Sequence, residues 1–140
     1  MTATANEGYT FANWTLNGTV VGTNPTITFT VSGSAAYVAN FSVNSYEITA
    51  SANPTAGGTV TGANTYNFGE QATLTVSANT GYTFINWTEN GNVVSTSPTY
   101  SFTVEGPRTL VANFSVNGYE ITASTNPTGA GTITGTGPYD

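Results

Sequence analysis

The sequence predicts an all-β array of small modules, each a sandwich or partly open barrel of about 73 residues without significant helix. Three observations carry this. The chain restates itself without a gap: Asn79 to Thr88 repeats Asn6 to Thr15, and Val111 to Val116 is identical to Val38 to Val43. About 42 of the 67 overlapping pairs are identical, and a fixed period of that size marks an array of like modules. Val, Ile, Thr, Tyr and Phe alternate with polar residues, the period of a half-buried strand, and no helical period competes. Turn residues return every 8–12 residues or so, as in small sandwiches and barrels.

The complete copy is placed at 46–118. Residues 1–45 are the later part of one module, and 119–140 the opening hairpin of another. Tyr46 to Ser51 alternates, with Tyr46, Ile48 and Ala50 on the apolar face. Asn53 to Gly58 is a turn, since Pro presets φ and Gly tolerates φ > 0. A second strand runs from Thr59 towards Tyr66 and Phe68. Gly69-Glu70-Gln71 turns the chain into a third, Ala72 to Ala78, with Leu74, Val76 and Ala78 inward. Tyr82 to Thr88 follows. Asn90-Gly91 then separates two apolar runs, the strongest short hairpin signal, because a type I′ turn needs φ > 0 twice. Asn17-Gly18 does the same one period earlier. Thr99 to Val104 places Tyr100, Phe102 and Val104 on one face, and Thr109 to Val116 closes the copy. Some six or seven strands are expected. Met1 stands where Leu74 stands in the next copy, as expected of a stretch cut from a longer array or of one given a start codon there.

Composition removes several function classes. Charged residues are 6%, far below the roughly 25% usual in soluble domains. Arg108 is the single base and net charge is −6. Nucleic-acid binding needs clustered Lys and Arg to displace counterions, so no nucleic-acid partner is expected. No polybasic patch and no apolar run of about 20 residues exists, so no membrane insertion is expected. Without His, Cys or Lys, the usual nucleophile–base pairs cannot be built. The acids Glu7, Glu47, Glu70, Glu89, Glu105, Glu120 and Asp140 are scattered, so neither a catalytic carboxylate pair nor a metal site is expected. No catalytic residue, cofactor or metal is assigned. Absence of Lys also excludes a Lys–Asn isopeptide staple.

The aromatic residues leave a choice. Trp14, Trp87, Tyr82, Phe84, Phe102 and Phe114 read as structural core, because a large aromatic repeated in a strand usually packs a core. The alternative is a carbohydrate platform of exposed Trp and Tyr. Thr-x-Thr pairs such as Thr59-Val60-Thr61 fit outward strand positions. Asn-x-Ser/Thr triplets, Asn13-Trp14-Thr15 and Asn113-Phe114-Ser115 among them, match the glycosylation acceptor pattern, a cheap match in a chain this rich in these residues.

Gly81-Tyr82-Thr83-Phe84-Ile85-Asn86-Trp87, Gly69 to Val76 (GEQATLTV) and Leu110-Val111-Ala112-Asn113-Phe114 resemble, in that family's order, the divergent internalin-B B-repeats of bacterial surface and secreted proteins. The resemblance covers nearly the whole chain. It implies a bacterial extracellular setting, at the cell surface, and a spacer or adhesin role; it carries over no catalytic residue. Expected partners are copies of the chain head-to-tail, or adjacent repeats of the same chain. A host or matrix glycan is the partner under the alternative. The two incomplete ends are expected to complete each other by strand exchange, because a half module leaves strand edges and an apolar face uncovered.

Overall fold

The computed structural model describes residues 1–139; Asp140 lies outside the described residues. The first copy forms β1 (Tyr9–Leu16), β2 (Thr19–Gly22) and β3 (Tyr37–Val43). The second forms β4 (Ser45–Asn53), a 3-10 turn (Thr55–Gly57), β5 (Gly58–Thr61), β6 (Asn64–Asn67), β7 (Gln71–Ala78), β8 (Tyr82–Glu89), β9 (Asn92–Ser95), β10 (Thr99–Thr103) and β11 (Arg108–Val116). Then come β12 (Tyr119–Ile121) and β13 (Gly137–Tyr139). The protein is all-β, with no α-helix among the described residues. Its sheets run β2-β1-β3, β10-β7-β5, β6-β4-β11-β8-β9 and β12-β13, and none closes into a barrel.

The second copy has eight strands rather than six or seven. The expected second strand divides at Gly62, whose φ of 96° breaks the extended backbone. Its two halves then join different sheets: β5 pairs with β7, Val60 opposite Val76, while β6 pairs with β4, Tyr66 opposite Tyr46. The third strand also departs from expectation. Ala72, Leu74 and Val76 are buried, whereas Ala78, expected inward, is exposed at the strand end.

The chain divides into two compact units, whose boundaries fall within β4, β7, β10 and β11. One comprises 1–49, 63–73 and 101–108, with Trp14, Ile48, Ala72 and Val104 buried. In it, the turn after β6 is tied to the end of β10 by two backbone bonds, Gly69 N–H to Val104 O and Val104 N–H to Glu70 O, each 2.8 Å. Glu70 closes that turn, accepting from the Asn67 backbone N–H at 2.9 Å and from Asn67 Nδ2 at 3.1 Å. The other unit comprises 50–62, 74–100 and 109–140, with Leu74, Val76, Trp87, Leu110, Ala112 and Phe114 buried. There Gly57 and Gly58 lie directly on the Phe114 ring. A Cβ added at either would come within 2.7 Å of a Phe114 carbon, so only glycine permits that approach.

Candidate functional site: the repeated aromatic and asparagine clusters

One arrangement is built twice, on β1–β3 and on β8–β11. Each pair carries a bulge at the same place. Phe11 pairs with Phe41 and Asn13 with Asn40, skipping Ala12; Phe84 pairs with Phe114 and Asn86 with Asn113, skipping Ile85. Side chains alternate faces along a strand, so residues three apart would point oppositely. The extra residue resets that alternation. Phe84 and Trp87 thereby reach one face and touch, ring centroids 6.0 Å apart. Phe114 meets Phe84 edge-on at 5.7 Å. The first copy repeats the arrangement, at 5.9 Å for Phe11 and Trp14 and 5.7 Å for Phe11 and Phe41.

Each indole N–H is satisfied by a backbone carbonyl just beyond the hairpin. Trp87 Nε1 donates to Ser97 O and Trp14 Nε1 to Pro25 O, both at 3.1 Å. Trp87 is completely buried, Trp14 nearly so. Tyr82, Phe84 and Phe102 are half-buried. Phe102 lies outside the cluster, under the Arg108 guanidinium at 4.2 Å from the ring centre.

The opposite strand face carries a polar cluster. Asn113 Nδ2 donates to Asn86 Oδ1 at 2.9 Å and to Thr88 Oγ1 at 3.0 Å. Asn40 Nδ2 does the same to Asn13 Oδ1 at 2.8 Å and Thr15 Oγ1 at 3.2 Å. At the strand ends, Thr83 Oγ1 donates to Asn117 Oδ1 and Thr10 Oγ1 to Asn44 Oδ1, both at 2.6 Å. The Asn-x-Thr triplets Asn13-Trp14-Thr15 and Asn86-Trp87-Thr88 are thus cross-strand acceptors spaced two apart, each pair shared by one asparagine amide. Sequence reasoning saw the triplets and missed this role. The signal was present in the second asparagine of each set, Asn40 and Asn113, at the matching place of the partner strand.

The hairpins have positive φ twice each: 50° and 80° at Asn17 and Gly18, 50° and 80° at Asn90 and Gly91. The short connections aim β2 and β9 back along β1 and β8, ending beside the tryptophans.

No reactive chemistry converges on these clusters. Among the described residues no group of three or more His, Cys, Asp or Glu comes together, and no helix is long and apolar enough to cross a membrane. What the geometry defines is an open, all-β tandem repeat held by side-chain amides, hydroxyls and stacked rings. The family model for the divergent InlB B-repeat domain matches residues 1–45 and 48–118. The chain therefore belongs to that family of repeats, which is associated with bacterial surfaces. No curated protein and no solved structure matches it significantly.

Proposed function

We propose that the chain is a non-catalytic structural repeat of an extracellular bacterial stalk, fibre or adhesin, in which copies follow one another head-to-tail and complete each other's modules. The observation that carries this reading is the rebuilding of one scaffold a full period on, from residue types with little reactivity. The asparagine amide bonds of the two copies nearly coincide, 2.9 and 3.0 Å from Asn113 against 2.8 and 3.2 Å from Asn40. Of the acids only Glu47 recurs, as Glu120; Glu7 stands opposite Thr80, Glu89 opposite Leu16 and Glu105 opposite Ser32 in the alignment. An array repeats a structure and not an active site. A spacer also benefits from a surface poor in charge, which makes its shape insensitive to salt.

Small-angle scattering on chains lengthened by whole copies tests this. The maximum dimension is expected to grow by a constant increment per copy; a plateau would sink the spacer reading. The second reading, a glycan-binding module, now leans on tyrosine alone, since both tryptophans are buried. Tyr9, Tyr119 and Tyr139 are about half exposed. Saturable binding of one sugar class, lost on Tyr9→Ala, would favour it over the spacer.

A further inference from the structure

We propose that residues Thr2–Ala5 and Phe41 form an acceptor for Gly131–Thr134 of a second copy of this chain, in a fixed antiparallel register. The inference rests on the head-to-tail reading above and deepens it. Its template is the complete copy. There β7 is the middle strand of its sheet, with β10 on one edge and β5 on the other. Gly58, Thr59, Val60 and Thr61 pair with Ala78, Ser77, Val76 and Thr75. Asn79 fastens the segment just before β5, its backbone N–H donating to Gly57 O at 3.0 Å and its Nδ2 to Ala56 O at 2.9 Å. The two glycines cap Phe114.

Residues 2–5 occupy the place of that strand in the first copy. One edge is occupied as in the template. Thr2 bridges Thr26, and Ala3 N–H donates to Pro25 O at 3.0 Å, matching Val76 N–H to Pro98 O at 3.1 Å. The other edge, where β7 carries β5, has no strand beside it among the described residues. Instead a cavity of about 250 Å³ opens there, lined by Thr4, Asn6, Tyr9 and Phe41. Asn6 is the counterpart of Asn79. Phe41 is 41% exposed where Phe114 is 6%.

The occupant is present in every copy and partly shaped. β12 and β13 pair Tyr119 with Tyr139 and Ile121 with Gly137, the register of Tyr46 with Tyr66 and Ile48 with Asn64. The turn bond Ala130 N–H to Pro127 O repeats Gly57 N–H to Pro54 O. Ile121 is 53% exposed where Ile48 is 1%, so the segment carries an uncovered apolar face of its own. Transposing the template sets Gly131 opposite Ala5, Thr132 opposite Thr4, Ile133 opposite Ala3 and Thr134 opposite Thr2 of the neighbour. This is strand addition to an open edge, and since donor and acceptor differ, the contact is heterologous and propagates or closes into a ring. Ile133 stands where Val60 does, Ala3 where Val76 does and Thr4 where Ser77 does, exchanges that keep the strand pattern; the departure that meets a ring is Ala130, which stands where Gly57 does. Its methyl would press on Phe41, so the joint sits slightly looser than the internal one.

The chain has no cysteine, which makes cross-linking decisive. Single-cysteine chains are mixed pairwise and oxidised by a glutathione couple. The in-register pairs Thr4→Cys with Thr132→Cys and Thr2→Cys with Thr134→Cys are expected to give covalent heterodimers. The crossed pairs, Thr4→Cys with Thr134→Cys and Thr2→Cys with Thr132→Cys, place Cα atoms beyond the roughly 7 Å a disulfide spans and should cross-link at least about tenfold more slowly. Ile133→Asp, at a donor position 43% exposed in the single chain, should abolish the cross-link while leaving the circular dichroism unchanged, and Ala130→Gly should raise its yield. Association by light scattering with equal or crossed linkage would overturn the register and leave the head-to-tail reading standing. Absence of both association and linkage would overturn the two together.

Discussion

Residues 1–45 and the matching part of the complete copy, 74–118, have nearly one sequence and one set of local contacts, yet very different burial. Phe11, Trp14 and Phe41 stack as Phe84, Trp87 and Phe114 do, and the asparagine clusters coincide. Val31, however, is 78% exposed where Val104 is fully buried. The Gly69-Glu70 turn that clasps Val104 has no counterpart ahead of Val31 within this chain. The neighbouring aromatics adjust accordingly. Phe102 lies under Arg108, whereas Phe29, with Ala35 in the arginine's place, stacks on Tyr37 at 4.7 Å. Hairpin, bulge and ring stack are therefore the same in both copies. What differs is the cover: Trp14 is nearly as buried as Trp87, but Phe41 and Val31 lack what Gly57, Gly58 and the Gly69-Glu70 turn supply to Phe114 and Val104. Local contacts are encoded within one half of a module; the core is a property of two halves together.

Trp87→Ala should have the largest effect in the complete copy. Removing a buried indole costs about 3–5 kcal/mol, a large part of a small module's stability. Trp14→Ala should fall toward the low end of that range, because the partly open first copy can relax around the gap. Denaturant unfolding by circular dichroism checks this, and equal losses would break the comparison.

Glycine at the start of β1 and β8 sharpens it further. Gly8 and Gly81 are the same repeat position, with φ of 78° and 85°. The Phe68 ring lies on Gly8, where an added Cβ would meet it at 2.0 Å; nothing lies within 4 Å of Gly81. Alanine at either costs roughly 1–2 kcal/mol in backbone strain. At Gly8 overpacking against Phe68 adds roughly 1–3 kcal/mol. A larger melting-temperature drop for Gly81→Ala than for Gly8→Ala would contradict the placement of Phe68.

The smallest effect tests where the copies should not differ. Asn113→Ala and Asn40→Ala each take an amide from two part-buried acceptors, costing about 1–2 kcal/mol; Asn113→Ala also removes the acceptor of Asn53 Nδ2, an exposed bond of 3.3 Å. An exposed bond of that kind contributes little, so the two losses should agree to within about 1 kcal/mol in denaturant titrations. A marked inequality would show that the polar clusters also depend on the opening half of a module.

The family and the all-β class were legible because repetition and alternation are properties of the chain itself. The residues of the candidate cluster were legible as types, but their partnership was not. Sequence periodicity puts Phe84 and Trp87 on opposite faces; the bulge at Ile85, a matter of how β8 pairs with β11, brings them together. The triplet Asn86-Trp87-Thr88 looked like a modification signal until the facing strand supplied Asn113. Likewise the second strand, expected to reach from Thr59 towards Tyr66 and Phe68 through a loose Gly/Asn stretch, is divided at Gly62 between two sheets.

By itself the sequence determined the repeat, the turns at Asn17-Gly18 and Asn90-Gly91, and the want of reactive groups, because each depends on residue identity or on neighbours along the chain. Only the tertiary structure decided which face of each strand is covered, that Gly57 and Gly58 are the cover of Phe114, and that the same place over Phe41 stands open. Those outcomes depend on pairing between residues tens of positions apart, whose register no local preference specifies.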